Sequence, residues 1–133
     1  MILFTLEQAE AMLPQVSDEL LAMQACKREV DELRQSFDHA AHKSTGNGHV
    51  KDEGALAEKR RQAEALVEQI NERLARLNEW GVELKGIDEG LVDFPTRRGD
   101  RIIYLCSRLG EESITWWHEI DSGFAGRQSL YPP

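Results

Sequence analysis

Thirteen residues near the end of the chain, Trp116-Trp117-His118-Glu119-Ile120-Asp121-Ser122-Gly123-Phe124-Ala125-Gly126-Arg127-Gln128, gather two indoles, an imidazole, two carboxylates, two glycines and a guanidinium. No other stretch carries so many groups that stack, titrate or hydrogen-bond. An imidazole with carboxylates suits a divalent metal such as zinc, manganese or iron. The metal set read here is His118, Glu111, Glu119 and Asp121, with Asp93, Asp88 and Glu7 as carboxylates that other segments could bring to His118. As a ligand site the stretch offers Trp117, His118, Glu119, Asp121 and Arg127, joined by Arg108 from before it, with Arg127 able to clamp a small anion, carboxylate or phosphate, through two parallel N–H bonds.

Each of these groups also has an ordinary use. In a strand His118 shares a face with Ile114, Trp116 and Ile120, while Trp117, Glu119 and Asp121 point the other way, so the polar groups do not converge by themselves. A histidine among apolar neighbours is most often a hydrogen-bonded structural one. Glu119 and Asp121 more commonly anchor an arginine such as Arg127 or Arg108 than act as an acid/base pair. Neither a His-x-x-x-His nor a Cys-x-x-Cys element is present, and no Ser, Cys or Lys nucleophile stands in a readable arrangement with its base. Arg97, Arg98 and Arg101 read as a solvated turn that could extend an anion site. His39, His42 and His49, with Asp38, Asp52 and Glu53, read as polar residues of a loop, with a metal cluster as the sharper alternative.

The 133-residue chain has a formal net charge of -8, which opposes attraction to phosphate backbones and anionic lipid. Nucleic acid is a poor partner on that count. No apolar run approaches the roughly 18 residues of a membrane span. Met1-Ile2-Leu3-Phe4 turns polar at Thr5 without a basic flank, so a cytoplasmic location is expected. In a reducing compartment Cys26 and Cys106 stay thiols, and both read as small buried hydrophobes.

Two helices must come first. Thr5 and Gln8 form a capping box, and Leu6, Ala9, Leu13, Val16, Leu20 and Met23 follow in steps of three and four. The stripe continues through Cys26, Val30, Leu33, Phe37 and Ala40. Pro14 predicts a kink, or a short helix followed by a long one running to about Ala41. Lys43 to Gly54 reads as the hairpin tip. The second helix, from Asp52 or Glu53, shows Leu56, Ala63, Ile70 and Leu77 at sevens with Arg60, Val67 and Leu74 between them, a coiled-coil spacing. It should stop at Trp80, with Gly81 as left-handed cap and Val82 packed on Leu77.

Beyond Gly81 the period becomes extended. Val82–Leu84, Leu91–Phe94, Arg101–Arg108 and Ser113–Ile120 read as strands, the last with a helix as its alternative, joined by connectors short enough to require antiparallel neighbours. Ile102 to Cys106 is apolar on both faces, so both should be covered.

Four ordered motifs carry a resemblance: Phe4 to Ala9 with Leu13 and Pro14, Gly90 to Pro95, Tyr104 to Glu111, and Trp117 to Gln128. Together they resemble the bacterial and archaeal domain-of-unknown-function family 2203, across nearly the whole chain outside the hairpin tip. The resemblance implies no assigned activity. Ser107 departs from the tryptophan associated with that place in the family.

The expectation is therefore an α+β fold and one domain, 1–133: a long antiparallel helical hairpin (1–81), then a small three- to four-stranded antiparallel meander with a C-terminal loop packed over it (82–133). The surplus helical stripe predicts a homodimer through the hairpins, in a four-helix arrangement. A non-catalytic dimeric interaction or scaffold protein leads; a metal- or small-ligand-binding protein comes second, and a hydrolase or lyase third.

Overall fold

The computed structural model describes residues 1–45 and 53–131, with 40–45 by backbone alone. Two helices, α1 (Leu6–Thr45) and α2 (Glu53–Trp80), form a packed hairpin, followed by an antiparallel sheet of β1 (Glu83–Gly86), β2 (Leu91–Arg98), β3 (Arg101–Arg108), β4 (Trp116–His118) and β5 (Gln128–Ser129), in that spatial order. The class is α+β. The residues divide into two compact units: Met1–Ala22 with Leu74–Pro133, which holds the sheet, and Met23–Arg73, the remainder of the hairpin.

The helix ends form as their sequences dictate. Thr5 N–H donates to Gln8 Oε1 at 2.9 Å and Gln8 N–H to Thr5 Oγ1 at 3.1 Å, the reciprocal capping box. At the end of α2, Val82 N–H donates to Leu77 O at 2.9 Å and Gly81 N–H to Asn78 O at 3.0 Å, the Schellman pattern. Gly81 has φ +88, and a Cβ there would stand 2.6 Å from Ile2 Cβ, so conformation and space both require glycine. Leu77 and Val82 are fully buried.

Pro14 does not split the first helix, which runs unbroken from Leu6. The ring lies on an exposed face, where water can serve the carbonyl it leaves without a donor. The tip is also shorter than expected: α1 reaches Thr45 and α2 already contains Gly54. The stripe of α1 is buried at Ala9, Leu13, Val16, Leu20, Met23, Cys26 and Val30. On α2 the row between the sevens is different from the one expected. Lys59, Leu66 and Arg73 are half-buried, and of the expected row Leu74 is half-buried too while Arg60 and Val67 are exposed, because a heptad permits a step of three as well as four from Leu56 and over most of α2 the three-step row faces inward.

In the sheet, β2 runs through Pro95 to Arg98, so the turn to β3 is only Gly99-Asp100, with Gly99 at φ +64. Two residues with glycine first suit the twist of a hairpin. Pro95 is accommodated with its carbonyl accepting Phe4 N–H at 2.8 Å. One sheet face carries Val92, Phe94, Ile103, Leu105 and Trp117, all buried. Phe4 meets Phe94 edge to face, with centroids 5.3 Å apart. The last expected strand shrinks to Trp116–His118, and the tail returns as β5, which the sequence reading missed: two polar residues show no alternation, and backbone pairing alone places them.

Candidate functional site

The opposite sheet face is buried but not apolar. Register fixes its members: Glu83 faces Asp93, Asp93 faces Cys106, Tyr104 faces His118, and Cys106 faces Trp116. Facing residues stand on the same side of the sheet, so Glu83, Asp93, Tyr104, Cys106, Trp116 and His118 share one face. Asp93, Cys106 and His118 are each 2 % exposed.

Both nitrogens of His118 are engaged. Nδ1 stands 2.7 Å from Glu119 O; a carbonyl only accepts, so Nδ1 carries a proton. Nε2 stands 2.9 Å from Asp93 Oδ2. With Nδ1 a donor, this second bond contains one proton shared between imidazole and carboxyl. Burial pushes the Asp93 carboxyl upward, against the bond and the charge of His118, which draw it down. The Cys106 thiol is pushed up to about 11, first by burial and then by the Asp93 charge. It is a thiol at neutral pH and a poor nucleophile. One ligating atom each from Asp93, Cys106 and His118 lies within 4.8 Å of the others.

A polar rim joins this cluster to the surface. Tyr104 O–H donates to Glu83 Oε1 at 3.0 Å, and Lys85 Nζ donates to the same oxygen at 3.1 Å. Lys85 Nζ also stands 4.0 Å from Asp93 Oδ2 and 4.9 Å from the Tyr104 ring centroid. Burial, then Glu83, holds the Tyr104 hydroxyl up at about 12.

The residues singled out from sequence are spread over more than this cluster. Trp117 is buried on the other face, with the Arg98 guanidinium 4.3 Å from its ring. Glu119 supplies its carbonyl to His118, but its carboxylate pairs with Arg101 at 2.8 Å. Strand alternation sends that side chain to the far side, so Glu119 does not join a metal set with His118. Asp121 is exposed in the turn after β4. Glu111 accepts Arg108 N–H at 2.7 Å and faces Arg127 at 3.8 Å. Arg127 thus meets Glu111, and neither Glu119 nor Asp121, while its guanidinium lies over the rings of Trp116 and Phe124. The Arg108 side chain, Glu7 and Asp88 are exposed.

Of the carboxylates considered for His118, Asp93 is the one that meets it. Cys106, Tyr104, Glu83 and Lys85 were missed as site residues. Counting outward from Gly99-Asp100 as a two-residue turn would have set Asp93 against Cys106; placing Pro95 in the turn hid that register. His39 is exposed, while the side chain of His42, together with His49 and Asp52, lies outside the described residues.

Among curated proteins and among solved structures, nothing matches this chain. One family model does, over residues 2–130, and its description is Uncharacterized conserved protein (DUF2203). The match spans the helices, the sheet and the buried cluster alike, and the chain belongs to the DUF2203 family.

Proposed function

We propose that this chain binds a divalent transition metal through Asp93, Cys106 and His118. The observation that carries the reading is the convergence of one carboxylate oxygen, one thiol sulfur and one imidazole nitrogen within 4.8 Å in a buried place. A mixed N/O/S set suits zinc and disfavours magnesium or calcium, which take oxygen shells. The bond from His118 Nδ1 to Glu119 O supports it too. Ligating histidines commonly donate their second ring N–H to a carbonyl, which fixes tautomer and ring orientation. A metal would take the place of the proton between Nε2 and Oδ2. Three protein ligands leave a fourth position for water or a bound molecule.

Elemental analysis of protein purified without chelator tests the reading. About one equivalent of zinc or a similar ion per chain is expected, with loss in Cys106→Ser and His118→Gln. Cobalt substitution should give a thiolate-to-metal charge-transfer band that Cys106→Ser abolishes. A metal-free preparation whose Tm is unmoved by zinc, cobalt or manganese would sink the proposal.

A second reading rests on the hairpin unit: it pairs with a second copy of itself. A groove of about 450 Å³ there is lined by Leu33, Phe37, Ala63 and Val67, with Val67 36 % exposed. Its rim carries Arg34, Lys59 and Arg60 beside Asp38 and Glu64. Charges of both signs around an apolar strip are self-complementary about a two-fold axis. Light scattering decides between a dimer and a monomer, and a monomer removes this reading without touching the metal one.

A further inference from the structure

Arg127 lies between two rings and is only loosely paired at its edge. Its guanidinium carbon lies 4.6 Å from the Trp116 ring centroid and 4.3 Å from that of Phe124. Contact with two rings restricts how the guanidinium can turn. Among the described residues the guanidinium donates no hydrogen bond, and its buried Nη1 is left without an acceptor. The carboxylate it faces, Glu111, is 3.8 Å away, beyond hydrogen-bonding distance. Nor is Glu111 free to close that gap, because its other oxygen accepts Arg108 N–H at 2.7 Å. Buried donors are normally satisfied, and one left open on an oriented side chain calls for a partner.

We infer that Arg127 is the receptor for an oxyanion, the carboxylate of a small organic acid, with Trp116 and Phe124 as the walls of its site. A guanidinium restricted in this way presents parallel N–H bonds to two oxygens, the geometry a carboxylate matches and a tetrahedral phosphate also accepts. The side chain as a whole keeps 22 % of its surface exposed. Phe124, 38 % exposed on the 3-10 turn Phe124–Gly126, lines the approach. The overall charge of -8 supplies no general attraction for anions, so binding depends on this fork. Trp116 faces Cys106 across β3 and β4, which puts the oxyanion on the sheet face that carries Asp93 and His118. The inference is independent of metal binding and is tested without metal.

The experiment is a titration of chelator-treated full-length protein with sodium acetate, sodium succinate and inorganic phosphate. Chloride holds the ionic strength constant, and tryptophan fluorescence and Tm are the readouts. A saturable fluorescence change with acetate or succinate is expected, together with a rise in Tm. Arg127→Lys, which keeps the charge and loses the planar fork, should weaken binding by about tenfold or more. A response to phosphate with none to the carboxylates overturns the assignment to an organic acid. The inference is overturned if wild-type protein responds to none of the three, which requires no variant to fold, or if a folded Arg127→Lys binds as well as wild type.

Discussion

The unit that holds the sheet and the hairpin unit Met23–Arg73 use the same amino-acid types in opposite ways. In the first, ionisable side chains are taken fully inside: Asp93 and His118 are each 2 % exposed and bonded to one another. In the second, apolar side chains are left partly outside: the described part of α2 buries no residue before Leu77, and Leu33, Phe37, Ala63 and Val67 line an open groove. Buried polarity costs stability unless it is completely paired, and exposed apolar surface is retained mostly where something covers it. Under the functions proposed above, chemistry belongs to one unit and association to the other.

The largest effect is expected from breaking the buried pair. His118→Leu alone or Asp93→Leu alone leaves a partner uncompensated and should lower the unfolding free energy by about 3–5 kcal/mol. The double substitution should recover much of that loss, because two apolar side chains in contact need no pairing. Urea unfolding of wild type, both single variants and the double variant gives the cycle. Additive losses would show that the two residues are not coupled, and the polar face would lose its distinction from an ordinary core.

Alkali provides the next largest effect. Cys106 holds its proton to about 11 in the folded chain, against 9.0 for an unperturbed thiol. Between those values the unfolded state binds fewer protons than the folded one, so stability falls as pH rises. The contribution is fully present below pH 9 and lost by about pH 11, amounting to about 2–3 kcal/mol. Tyr104, raised from 10.0 to about 12, extends the decline. Thermal unfolding of chelator-treated, metal-free protein across this range should show a shallower slope for Cys106→Ala than for wild type. Identical slopes would mean that the thiol is not shielded as its burial implies.

Gly81→Ala should cost about 1–2 kcal/mol. It forces a side chain into φ +88 and against Ile2. This position is also where the sequence was most legible. Glycine, the preceding Leu77 and the following Val82 specify one another locally, as Thr5 and Gln8 do at the start of α1. The pairing of Asp93 with His118 is non-local, 25 residues apart in sequence. It depends on the register of β2 on β3 and of β3 on β4 together. Proline at position 95 reads locally as the end of a strand, and only the tertiary arrangement, with Phe4 N–H on its carbonyl, keeps it inside β2. The polar residues of β5 carry no pattern at all. The types of chemistry were therefore visible in the tail while their partners, set by pairing across the sheet, were not.

The smallest effect on folding is expected in the hairpin, and it is the one that tests the association half of the contrast. Val67 is 36 % exposed on an open groove, so Val67→Glu should change monomer stability by no more than about 1 kcal/mol. In a paired hairpin the same side chain would lie at the contact, and the added carboxylate would be desolvated beside Glu64 on the rim. Light scattering of the variant should then show a shift toward monomer at concentrations where wild type is a dimer, with an unchanged helical signal by circular dichroism. If the variant is destabilised as strongly as one broken in the Asp93–His118 pair, Val67 is core and the groove is not an open surface. If it is neutral in both assays, the groove is exposed but unused by a second copy, and the division of labour between the units loses its second half.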